Sequence, residues 1–408
     1  MKKIIRFAAR NVWVNKRRTL ITIVTIAVGL CAINVGKGIM SGMQHESELS
    51  VTEGRTGGIQ IHKKGYFDSS ELSILNFSIE KYSHLENELQ KTSGIKFLAG
   101  RIQFGGIMAR GDEAAVVVFC RAADIENEVK VCSRVKESIV EGRFLTKDDV
   151  NGAVIAAGLQ RGIGAKIGEH VIIVANTKDG YQNAIELDVI GIIEEKAAQA
   201  NSRLVYIPLG RAQELLFMED EVTEIVIKTD KEADLDELKT RLNYILKEKN
   251  LESNTWKDVS AFFVDIMKKQ NAVVFVICLV FYLIVVSSIT NTMILTLFER
   301  KKEIGTMMAI GIKGAHVMRL IVIESTILGF IGSMIGILIS VLIISVLNVW
   351  GVTYKPPNTS QYVTIYPIID VSFMLLSFLL GLISAVVASI YPARKVLQVN
   401  PVDALRSL

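Results

Sequence analysis

Hydrophobic residues along this 408-residue chain fall into two zones, one near the N-terminus and one in the last third. A long stretch of ordinary mixed composition separates them. A bilayer core of about 30 Å is crossed by roughly 20 apolar residues in a helix, and four segments qualify. They run Thr19–Gly36, with helical pattern continuing to Met43, then Ala272–Phe298, Leu320–Val349 and Val371–Ile390. The third would be about 45 Å long as a helix, so it must tilt or protrude. The first has the basic start and apolar core of a removable signal. However, Leu30 before Cys31 is too large for a lipoprotein signal, and no small-x-small site ends the run, so it reads as an anchor.

Between the first two spans the pattern alternates between strand-like and helix-like. Ile59–His62, Ile95–Gly100, Ala114–Cys120, Ala153–Ala156 and Val222–Lys228 predict strands. Val171–Ala175 and Ala184–Ile193 flank a Lys178-Asp179-Gly180 turn and predict a hairpin. Glu232–Glu248 is amphipathic, with Leu235, Leu238, Leu242, Ile245 and Leu246 on one face. Ser260–Gln270 predicts a helix running into the second span. The fold class is therefore an α-helical membrane protein with four transmembrane helices, plus an α+β two-lobed extracytoplasmic domain inserted between helices 1 and 2.

Charge sets the orientation. Lys2, Lys3, Arg6, Arg10, Lys16, Arg17 and Arg18 precede the first span; Arg300, Lys301, Lys302 and Lys313 lie between the second and third; Arg394, Lys395 and Arg406 follow the fourth. The connection from Trp350 to Ile369 carries only Lys355. Both termini are thus expected in the cytoplasm, with the large domain outside the membrane. The expected segments are 1–18, an amphipathic cytoplasmic helix; 19–43, helix 1; 44–269, the outer domain; 270–298, helix 2; 299–318, a cytoplasmic helix; 319–349, helix 3; 350–369, an outer loop; 370–391, helix 4; and 392–408, a tail.

Candidate chemistry is sparse. A net charge of +4 is too small to suggest a nucleic-acid partner, so none is expected, and five scattered histidines without ligand spacing imply no metal site. There is no nucleophile elbow and no glycine-rich phosphate loop, since Gly162, Gly164 and Gly168 lack the spacing. No catalytic residue is assigned. Cys120 and Cys132 either pair as a disulfide in an oxidising compartment or remain two buried thiols. Within Glu299–Val317, a charged helical stretch keeps an apolar side of Ile304, Met307, Met308 and Ile310, which suits a docking helix or an interfacial one. Glu324, one turn into the third span, calls for a partner such as Arg319, Arg300 or a helix end. Small residues four apart (Gly38 and Gly42, Gly332 and Gly336) predict close helix contacts, within the chain or across a dimer.

Four passages together resemble the FtsX-like and MacB-type superfamily of ABC transporter permeases, within it the lipoprotein-releasing (Lol-type) subunits. They are Ala9–Val12 with Asn15–Leu20; Glu299–Gly305 through Ala309–Gly311; Pro392–Lys395 with Asn400–Arg406; and Glu141–Leu145 with Gly158-Leu159 and Ile167–Glu169. The resemblance covers the whole chain. It implies a permease without an ATPase site of its own, served by two copies of an ABC-type ATPase subunit on a separate polypeptide, which binds ATP and Mg. A second permease subunit, identical or related, is implied as well. ATP closure would push a coupling helix of Glu299, Arg300, Lys301, Lys302, Glu303, Ile304, Gly305, Met308 and Gly311. Helices 1 and 2 would then pass that motion outward by mechanotransmission.

The resemblance further implies release of a lipoprotein or other amphipathic substrate from the outer leaflet to a periplasmic lipoprotein carrier, among membrane lipid. Met40, Met43, Phe262, Phe263, Ile266 and Met267 are the lining candidates, and mutual packing is their other reading. Two other functions fit the pattern: an exporter of peptides or small amphiphiles with an outer adaptor, and a non-transporting regulator of an extracytoplasmic enzyme. The large outer domain disfavours the regulator.

Overall fold

The computed structural model describes Arg10 and residues 16–68, 74–111, 115–194, 201–230, 234–355 and 362–396. Most of the expected N-terminal helix, the motif at 400–406 and the side chains of Arg18, Phe262, Lys395 and Val396 lie outside the described residues. The chain divides into two compact units. One comprises the helices of residues 16–45, 266–355 and 362–396, and the other centres on residues 46–265.

In the helical unit, the helices Thr19–Thr56, Phe263–Glu299, Gly314–Trp350 and Val371–Arg394 are long and apolar enough to cross a membrane. All four expected spans are present, each longer than its apolar run. Helical geometry continues through polar residues such as Gln44–Ser50, where hydropathy alone marks an end. The bundle core joins Ile26 and Leu30 of the first helix, Val285, Ile289 and Met293 of the second, Leu328 of the third, and Ala385 and Ala388 of the fourth. Glycine makes these approaches close. A Cβ on Gly332 would lie 2.8 Å from Ile26 Cβ, and one on Gly336 2.8 Å from the Ala27 carbonyl oxygen. These glycines therefore serve contacts inside the chain. Polar side chains add to the packing: the Asn34 amide donates to Ser377 Oγ at 3.0 Å, and the Thr290 hydroxyl reaches the Ala388 carbonyl at 3.3 Å. Two short strands, Val352–Tyr354 and Val363–Ile365, pair antiparallel between the third and fourth helices.

The inserted domain is built on ten strands: β1 Ile59–Lys63, β2 Ile95–Ala109, β3 Val116–Ala123, β4 Ile139–Gly142, β5 Gly152–Ala156, β6 His170–Asn176, β7 Gln182–Ile193, β8 Leu204–Pro208, β9 Glu224–Thr229 and β10 Leu251–Thr255. The expected hairpin is β6–β7, antiparallel from His170↔Asp188 to Asn176↔Gln182, and its turn uses Gly180 at φ 85°.

Pairing divides the strands into two lobes. β2 pairs β3, β3 pairs β8, β8 pairs β5, β5 pairs β7, β7 pairs β6, and β6 returns to β2. That circuit is a closed six-stranded barrel, filled by residues including Phe104, Met108, Leu159, Val171, Ile173 and Tyr206. The other lobe is an open layer in the order β10-β1-β9-β2. Helices Tyr82–Leu89 and Leu235–Leu246 cover it, packing Leu85, Leu89, Leu238 and Leu242 onto Ile59, Ile61, Ile225 and Ile227. Asp234 caps the second of these helices by accepting from the Asp236 and Glu237 amides.

The structure separates the two thiols whose pairing the sequence leaves open. Cys120 and Cys132 are free and buried. Cys120 packs in the barrel core, while Cys132 belongs to a separate cluster with Ala99, Val131 and Val226. The disulfide is not made, because the two side chains belong to different cores.

Candidate coupling and substrate sites

The charged segment between the second and third helices folds as a helix, Lys301–Ala309. Arg300 precedes it in a non-helical conformation, φ −94° and ψ 12°. Its end is a Schellman motif: Ile312 N–H donates to the Met307 carbonyl at 3.1 Å and Gly311 N–H to Met308 at 3.0 Å. Gly311 takes φ 97°, which only glycine adopts at little cost.

Ile304 and Gly305 are buried, and Ile304 packs with Val317, Ile321 and Ala393, flanked by Met307 and Met308. Of the expected coupling residues, Ile304, Gly305 and Met308 thus brace the helix from behind. Glu299, Lys302, Glu303 and Gly311 are exposed, and Lys301 is half-buried. The sequence groups Ile310 with Ile304, Met307 and Met308 on one apolar side of a docking or interfacial helix. Ile310 lies beyond the last helical turn and is 78% exposed. The result is a helix with one face anchored and an exposed rim that mixes charge with one large aliphatic side chain.

Glu324 has Arg300 as a partner. Arg300 Nη1 lies 3.2 Å from both Glu324 oxygens, and Arg300 Nε lies 3.0 Å from Glu303 Oε2. Apolar side chains Met293, Leu297, Ile304 and Ile321 line the same small cavity.

The lining candidates divide between the two units. Met40, Met43, Ile266 and Met267 are half-buried residues of the helical unit. There the first and second helices meet through Gln44 Nε2 and Asn271 Oδ1 at 2.9 Å, a pairing sequence reasoning missed. Met43 precedes Gln44, and Met267 is one turn before Asn271. Phe263 belongs to the other unit, where its ring lies 6.5 Å from that of Trp256, a packing role.

Sequence reasoning also missed a buried charged network in the inserted domain, spread over five elements that no local motif connects. Arg101 is bound to Glu128 through two nitrogens at 2.8 and 2.6 Å, to Glu224 at 3.1 Å, to the Arg55 carbonyl at 2.7 Å and to Cys132 Sγ at 3.1 Å. His62 Nε2 lies 3.5 Å from Glu224, at the long limit of a hydrogen bond, and stacks on Tyr66. Arg121 donates to the Tyr206 hydroxyl at 2.7 Å. Nearby, Arg134 pairs with Glu46 at 2.5 Å and Lys228 with Glu53 at 3.2 Å. Among the described residues, no three His, Cys, Asp or Glu side chains are grouped to hold a metal.

Four membrane-length helices, a two-lobed α+β domain between the first two and a braced surface helix between the second and third make up the architecture of a transporter permease. The MacB-like periplasmic core domain profile matches residues 19–245, and the FtsX-like permease C-terminal profile matches residues 275–401. The chain belongs to this MacB/FtsX-like family of ABC transporter permeases.

An uncharacterized ABC transporter permease of Methanocaldococcus jannaschii is 23% identical over 99% of this chain and 97% of its own length. The lipoprotein-releasing system transmembrane protein LolC of Neisseria meningitidis is 21% identical over 95% of this chain and 94% of its own. The macrolide export ATP-binding/permease protein MacB of Campylobacter jejuni is 23% identical over 98% of this chain, which spans 60% of that protein. The crystal structure of the periplasmic region of MacB from Actinobacillus actinomycetemcomitans overlaps 50% of this chain and 91% of that one at 18% identity, with a TM-score of 0.37 that adds no weight.

Proposed function

We propose that this permease couples ATP hydrolysis by a separate ABC-type ATPase to release of a lipidated substrate from the outer leaflet of the cytoplasmic membrane. Both termini and the Lys301–Ala309 helix face the cytosol in this reading, and the inserted domain faces the periplasm. Two ATPase copies, holding ATP and Mg, dock on the exposed rim of Lys302, Glu303, Ile310 and Gly311, and a second permease subunit completes the complex. The observation that carries the reading is the helix itself. Its apolar face is braced by Val317, Ile321 and Ala393, so a push on its exposed rim is passed to the bundle.

The near full-length match to a lipoprotein-releasing subunit supports a lipidated substrate. The match to a macrolide exporter supports the second reading, export of peptides or small amphiphiles. The soft side chains of Met40, Met43, Ile266 and Met267 suit acyl chains.

The test is to purify the full chain in mild detergent and identify what accompanies it. A stoichiometric ATPase with a phosphate loop is expected, lost on Ile310→Asp. A co-purified acylated protein supports lipoprotein release, and a small amphiphile supports export. Absence of any ATPase from the wild-type preparation, or its retention in Ile310→Asp, overturns the docking assignment.

A further inference from the structure

Resting on that reading, we infer that Arg300 is the positioning residue that ties the docking helix to the third span, so displacement of the helix reaches span three as well as span two. Arg300 lies between two helices in sequence, closing Ala261–Glu299 and opening Lys301–Ala309. Its guanidinium forks between two carboxylates on different elements. Nε bonds Glu303 at 3.0 Å, in the first turn of the docking helix, and Nη1 bonds both oxygens of Glu324 at 3.2 Å, in the helix Gly314–Trp350.

The two partners are unequal. The Glu303 side chain is 66% exposed and the Glu324 side chain 8%. An exposed pair exchanges readily with water and contributes little. A carboxylate within an apolar bundle keeps a strong need for its counter-charge. Leu297, Ile304, Val317 and Ile321 wall this pair off, which strengthens its electrostatics. A push on the docking helix therefore gives up the Glu303 contact first. Arg300 stays with Glu324 and draws the third helix along.

The experiment is hydrogen exchange on the full chain with its co-purified ATPase, without nucleotide and after trapping with ATP and vanadate. In the wild type, nucleotide is expected to change exchange in segments 301–309 and 314–328. Glu324→Gln, close in shape and uncharged, should keep the ATPase bound and keep the response at 301–309, but weaken it at 314–328, where only the packing of Ile304 on Val317 and Ile321 remains. Arg300→Gln combined with Glu324→Gln should be no worse than Glu324→Gln alone, as expected for partners in one interaction. A third-span response undiminished by Glu324→Gln, or a double variant that adds a second loss, overturns the inference.

If no ATPase accompanies the wild-type chain, the permease reading fails separately. The pair is then tested in the chain alone: protection of 301–309 should fall about tenfold or more in Glu324→Gln. Arg300→Lys with Glu324 intact, which keeps the charge but not the fork, should lose less. Unchanged protection overturns the role of Arg300.

Discussion

Arg101 and Glu128 form a two-pronged ion pair sealed inside the inserted domain, with side chains only 1% and 0% exposed. Glu224, 3.1 Å from the same guanidinium, makes Arg101 the shared counter-charge of two buried carboxylates. Removing one member of such a group is far worse than replacing the group. Arg101→Met should lower stability by about 3–5 kcal/mol, read as a drop in the thermal midpoint of the purified chain. Arg101→Met with Glu128→Leu should be less damaging than Arg101→Met alone. Equal damage would mean that packing, not charge, holds this junction.

The same network predicts an acid-sensitive domain. Burial opposes the charge of Glu224, while His62 and Arg101 favour it, and together they hold its carboxyl well below the usual range. A depressed folded pKa means that the unfolded chain binds the proton first. The stabilisation is therefore complete above the unfolded value of about 4.3 and is lost as pH falls below it. Asp149, held down chiefly by its hydrogen bond from Arg143, adds in the same direction. Denaturation midpoints measured from pH 7 to 3 should fall steeply below about pH 4.5, and Glu224→Gln should flatten that arm.

Gly336 lies where the third helix meets the first, with the Ala27 carbonyl 2.8 Å from the place a Cβ would take. Backbone cannot yield there as a flexible side chain can. Gly336→Leu should cost about 1–3 kcal/mol or more by overpacking, seen as earlier thermal aggregation in detergent. Gly162, with open space around it, should accept Ala with little change.

Burial pushes the Cys132 thiol up to about 11 and the Cys120 thiol higher still. Neither should react with maleimide at pH 7.5 in the native chain, and both should react once it is unfolded. Reductant should leave the thermal midpoint unchanged. A fall in midpoint with reductant would show a disulfide after all.

The spans were legible because bilayer thickness imposes a length and composition that few other structures share. The β6–β7 hairpin was legible because its turn is local. Barrel closure was not: β2 meets β6 through Ile107↔Val174, residues far apart in sequence, and β8 lies between β3 and β5 with no turn to announce it. Arg101, Glu128 and Glu224 escaped notice for the same reason, since each alone is an ordinary charged residue. In the Lys301–Ala309 helix, periodicity placed Ile304 and Met307 on one side. It misplaced Ile310, because the chain leaves helical geometry at that residue.

β2 spends its first half, Ile95–Arg101, against β9 and its second half, Arg101–Met108, against β3. One unbroken strand is thus the spine of both lobes, with Arg101 at the crossover. Bending one lobe against the other would have to unzip a hydrogen-bonded ladder and pull apart a desolvated ion cluster in the same stroke. A crowbar needs that kind of fulcrum. The two lobes are therefore expected to move together under load, with little flexing at Arg101.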